Sequence, residues 1–158
     1  MDTSTEEEAF DRLVPFGEAA FVVLRAQLIA EYSLTKYVAA RVPTLAKELD
    51  DRNNEVRSGI ALILLAQALS LRDEIPPTCS DILWPALKAL NALRNDLAHQ
   101  LYPNTDKIDH RMREFVRIVS GETVSRGENL NQLFRLAART VVGYLAIDRT
   151  PLTIADTV

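Results

Sequence analysis

A single cysteine, Cys79, stands in a chain of 158 residues, so no disulfide can close within it and a reducing, cytoplasmic setting is expected. Histidine is almost as scarce. Only His99 and His110 could join that thiol, too few for a zinc cluster, and neither a metal nor any other cofactor is expected. Five glycines and seven prolines leave little turn chemistry, and β-branched alternation is sparse, which argues against a sheet. Long hydrophobic runs are missing too: the longest uncharged stretch, Ser58 to Leu71, is too short and too interrupted by Ser and Gln to cross a bilayer. No membrane role is expected. The first eight residues are acidic, the opposite of a signal or transit peptide. Nor is positive charge in surplus. Eighteen Lys and Arg against 22 Asp and Glu give a net charge of -4, which excludes a general electrostatic attraction for nucleic acid. The deficit is local: residues 1–80 carry 8 basic and 13 acidic side chains, net -5, and residues 81–158 carry 10 and 9, net +1. A polyanion site therefore belongs in the second half.

What remains is rich in Ala and Leu and 47% hydrophobic, the composition of one helical domain over residues 1–158, with flexible ends at 1–4 and 151–158. The expected fold is all-α, an antiparallel bundle of about five to six helices. A short acidic helix is expected from about Thr5 to Leu13, then a long one from about Phe16 to Arg41 with its apolar stripe at Phe21, Leu24, Leu28, Ala30, Leu34 and Val38. A helical turn around Leu45 to Leu49 leads to Asn53 as N-cap of a helix over Asn54 to Leu71. The middle of that helix, residues 60–66, is apolar nearly all round and predicts a central place in the bundle. Thr78 or Ser80 offers a further cap, but Pro85 suits a first turn better than an interior, which predicts an uninterrupted helix from Pro85 to Leu101. Two more follow, about Asp106 to Ser120 and Glu128 to Ile147.

On a wheel of the helix over 85–101, Ala86, Leu90, Leu93, Leu97 and Leu101 form one stripe, which should face the core. Opposite fall Lys88, Asn91, Arg94, Asn95, Ala98 and His99, followed by Tyr102. Asn95 and His99 are one turn apart, and Arg94 lies one turn from Asn91 and from Ala98. A small Ala98 in such a face admits a close approach. Asn is a mediocre helix former, so two of them on one exposed face invite a reason.

The string from Leu90 to His99, and above all Leu93-Arg94-Asn95-Asp96-Leu97-Ala98-His99, resembles the signature of the HEPN superfamily: an Arg, a polar residue, and a His after four to six intervening positions. The resemblance extends loosely to a long helix and an apolar helix before the motif. It implies metal-independent RNA cleavage at the interface of a homodimer, each subunit presenting its own Arg and His. Under it His99 takes a proton from a 2′-hydroxyl, Arg94 stabilises charge on the phosphorane, and Asn95 orients the His or donates to phosphate. Asn91, Lys88 and Tyr102 become supporting RNA contacts, a two-fold axis falls near Ala98, and Glu31 becomes a candidate ion-pair partner for Arg94. A nucleotidyltransferase-type antitoxin is the partner such toxins imply. The competing class is a noncatalytic regulatory or nucleotide-binding module; the long apolar helices are similar to those of the mannitol operon repressor family.

Other polar residues read more plainly. Arg111, Arg113 and Arg117 beside His110 alternate with Asp106, Asp109 and Glu114 and form a solvated, salt-bridged face. Cys79 has no His near it in sequence and is not expected to be a nucleophile. Trp84 is a core anchor, and Gly59 marks close packing inside a helix.

Overall fold

The computed structural model describes residues 19–45, 59–71, 77–98 and 104–147. They form α1 (Ala19–Arg41), a 3-10 turn (Pro43–Leu45), α2 (Gly59–Ser70), α3 (Pro77–Ala98), α4 (Thr105–Ser120) and α5 (Leu130–Ile147), with no strand among the described residues. The chain is an all-α bundle. α3 touches all the other helices, α1 lies between α5 and α2, and α4 pairs with α5. Leu83, Leu87, Leu90 and Leu93 carry α3 into the core, where they meet Leu34 and Tyr37 of α1, Phe115 of α4 and Phe134 of α5. Trp84 is buried as expected, edge-on to Tyr37 with ring centroids 6.2 Å apart, and Phe115 packs on Phe134 at 4.9 Å.

The last two helices begin and end where local signals put them. The Asn104 side chain accepts from the Lys107 amide at 3.2 Å and opens α4; Gly121, at φ 76°, closes it with its own N–H on the Arg117 carbonyl. Asn129 caps α5 in the same way through the Gln132 amide.

Three expectations need correcting. α3 begins at Pro77, not Pro85, so Thr78 and Ser80 lie within the helix and Pro85 is interior. Pro77 takes the first helical position, where its missing N–H is no loss. Pro85 itself is exposed while Leu83, Trp84, Ala86 and Leu87 around it are buried; their burial holds the helix through the defect. The stripe on α1 differs in phase from the expectation in its first half: Val22, Val23, Ala26 and Gln27 face the core, and Phe21, Leu24 and Leu28 face solvent, whereas Ala30, Leu34 and Val38 are buried as expected. A helix apolar on both sides hides its phase from a pattern reading. α2 is not central. It packs on α1 and α3, buries Leu62, Ile63, Ala66 and Ser70, and leaves Ile60 and Leu64 in solvent. The expected helix over 5–13, the cap at Asn53 and the helical residues 46–49, 54–58 and 99–101 lie outside the described residues.

Candidate functional site

The polar side of α3 divides into two columns. Trp84, Leu87, Asn91, Arg94 and Ala98 follow one another at spacings of three and four and so share one line along the helix. The first three are buried and the last two exposed, and Asn91 lies against α2: a Cβ built on Gly59 would stand 2.4 Å from Asn91 Oδ1. Arg94 and Ala98 stand one and two turns further along α3. The second column, Lys88 and Asn95, turns outward and is half-buried.

This placement corrects one expected contact. Asn91 is only 8% exposed and is taken up by the start of α2, so it lies against Gly59 and not on the open polar face. Gly59 is the first described residue of α2, at φ 35°, and the close packing expected of it is present. Glu31 also differs from expectation. Its carboxylate accepts from the Gln27 amide at 3.0 Å along its own helix, and among the described residues it does not pair with Arg94.

Arg94 and Asn95 are brought together. The guanidinium donates through one Nη to Asn95 Oδ1 at 3.0 Å, and Arg94 as a whole is exposed. Fixed in this way, the fork can meet an anion through paired hydrogen bonds. His99 and Tyr102 lie outside the described residues.

Sequence reasoning missed Asp96. Its carboxylate accepts from Lys107 Nζ at 3.1 Å and is ion-paired with the Arg111 guanidinium, so two cations from α4 hold α3 at Asp96. No local pattern announces a contact made across the corner between two helices. Further along α4 the salt-bridged reading holds in part. Arg117 pairs with Glu114, Nε to Oε2 at 3.1 Å, while Arg113 donates to the carbonyls of Val124 and Ser125, both at 3.1 Å, and clamps the loop between α4 and α5. The hydrogen bond from Arg117 holds the Glu114 carboxyl below its ordinary value against an opposing push from desolvation, and the charges of Arg117 and His110 add to the lowering. An open cleft of about 290 Å³ lies between α4 and α5 under that loop, lined by Val116, Val119, Leu133, Ala137 and Thr140 among others. It contains none of the α3 residues. Among the described residues no three His, Cys, Asp or Glu side chains form a group that could hold a metal ion, and no helix is long and apolar enough to cross a membrane.

No family model matches the chain, and no curated protein and no solved structure matches it either.

Proposed function

We propose that this protein is a HEPN-like, metal-independent endoribonuclease acting as a homodimer, with Arg94 and His99 as its reacting side chains and Asn95 in support. The observation that carries the reading is the exposed Arg94, pinned by Asn95 on a leucine-backed helix, five residues ahead of His99 in the chain. An RNA 2′-hydroxyl gives its proton to the His99 imidazole and attacks the adjacent phosphorus; the 5′-oxygen leaves with a returned proton, and a cyclic 2′,3′-phosphate remains. Negative charge grows on the phosphoryl oxygens in this step, and a guanidinium already oriented by Asn95 offsets it without reorganising. Lys88, on the same outward column as Asn95, is placed to meet a flanking phosphate.

The test is incubation of the purified protein with single-stranded RNA in EDTA. Cleavage by the parent protein, falling by at least about 100-fold in His99→Ala and in Arg94→Ala, is the expected result. Equal background in all three proteins would leave the noncatalytic module. One observation favours that second reading, the bare apolar sides of α1 and α2, which suit a protein that works through a partner.

A further inference from the structure

α1 is apolar on two sides and buries one. The other carries Phe21, Leu24, Leu28 and Tyr32 at spacings of three, four and four, all exposed, with Leu28 at 62% and Tyr32 at 59%. Single exposed leucines are ordinary, but four large apolar side chains in one row ask for a cover. One edge of the row is cationic. Arg25 holds its guanidinium 4.9 Å from the Phe21 ring centroid, and Lys36 its Nζ 4.4 Å from that of Tyr32. The cover that fits is therefore a helix with an apolar side and acids along the matching edge.

The sequence ahead of α1 carries such a segment. Residues 1–18 hold six acidic side chains and one basic, net -5, so the whole negative surplus of residues 1–80 lies there. Thr5 with Glu8 three positions on is a capping-box pattern, and Pro15 and Gly17 stop a helix, so the expected helix is bounded on both sides. Ala9, Phe10, Leu13 and Val14 share one side of it, and Glu7 and Asp11 run along an edge of that side. We propose that residues 5–14 turn back on α1 and cover its exposed stripe, with Glu7 and Asp11 against Arg25. Residues 15–18 form a connection of the length usual between antiparallel helices. Ten helical residues at about 1.5 Å each reach roughly 15 Å, from Ala19 to near Ile29. Leu13 then comes about level with Phe21 and Phe10 with Leu24, and Arg25 falls between Asp11 and Glu7. Handedness agrees: when two right-handed helices meet antiparallel in this way, the edge of Glu7 and Asp11 and the edge of Arg25 and Lys36 fall on the same side of the contact. Charge decides between occupants. A second copy laid antiparallel would bring its own arginine and lysine to that edge, like against like, and an anionic lipid surface would be repelled by the acids of residues 1–18. The tethered segment brings opposite charge, at an effective concentration on the order of millimolar. A partner that reads the apolar side of α1 must first displace it.

Engineered thiols read the contact directly. In a Cys79→Ser background, Phe10→Cys paired with Leu24→Cys or with Leu28→Cys should close an intrachain disulfide under mild oxidation, whereas Phe10→Cys paired with Leu136→Cys, exposed on α5, should stay reduced. Amide hydrogen exchange on the full chain gives a second readout. An isolated helix of ten residues is marginal in water, so the amides of residues 5–14 are protected only when the segment is docked. Protection of at least about tenfold over the random-coil rate is expected in the parent protein, with its loss in Leu24→Glu and in Arg25→Glu and unchanged exchange in α3 to α5. Random-coil exchange in the parent protein overturns the proposal, as does protection that survives both substitutions. Reduced thiols in both pairs overturn it too, and cross-links found only between chains would overturn it by giving the stripe to a second copy.

Discussion

Gly59 and Asn91 constrain each other, and the constraint can be measured. A side chain at 59 meets two separate costs: φ 35° lies where a Cβ is disfavoured by about 1–2 kcal/mol, and that Cβ falls 2.4 Å from Asn91 Oδ1. Gly59→Ala should therefore lower unfolding free energy by roughly 2–3 kcal/mol in urea denaturation. In an Asn91→Ala background only the backbone cost remains, and the penalty should shrink by about 1 kcal/mol; equal penalties in both backgrounds would mean that the two side chains do not meet. Glu114 supplies a test by pH. Its carboxyl is held below the ordinary value by Arg117, so the pair contributes stability that is complete above the unfolded carboxylate pKa and is lost as pH falls through the depressed folded value. In a carboxyl NMR titration the Glu114 midpoint should lie below that of a free glutamate, and Arg117→Ala should return it upward. At this scale the sequence told which residues were polar but not which were covered. Asn91 and Arg94 share a helical column, yet Asn91 is covered, with Gly59 of α2 against it, and Arg94 is exposed.

Helices with one apolar side declare their buried face in the sequence, and helices with two do not. α4 and α5 alternate cleanly and carry Asn caps and a left-handed glycine, so their ends fall within two residues of expectation. α1 and α2 are apolar around most of their circumference, and periodicity cannot choose between two apolar sides. α3 failed for another reason: a local rule, that proline starts helices, was overridden by burial of Leu83, Trp84, Ala86 and Leu87 on both sides of Pro85. That override leaves a measurable defect. Pro85 removes the N–H that would donate to the Asp81 carbonyl, and its exposed ring returns little packing. Pro85→Ala should restore the bond and raise unfolding free energy by about 1–3 kcal/mol, seen as a higher urea midpoint with unchanged slope. A fall in stability would show that the ring is packed after all.

For the molecule as a whole, charge restricts how the RNA of the proposed reaction can be held. A protein of net charge -4 repels a polyanion at long range, so binding must come from a few local cations on the positive half of the chain. Arg94 and Lys88 occupy the outer side of α3, whereas Lys107 and Arg111 are already committed to Asp96, and Arg117 to Glu114. Few phosphates can therefore be neutralised per protomer, about two, and each released counterion contributes about -0.7 to the slope of log affinity against log salt for a single strand. A slope near -1.4 per protomer is expected, far shallower than that of a basic nucleic-acid-binding domain. Under the proposed reaction, which assigns Lys88 to a flanking phosphate, Lys88→Ala should flatten it by about 0.7 and leave the cleavage step itself intact. Fluorescence anisotropy of a labelled RNA across a salt series reads this directly. An unchanged slope in Lys88→Ala would remove that lysine from the RNA path, and a slope several times steeper in the parent protein would mean that RNA is held over a basic surface elsewhere than the outer side of α3.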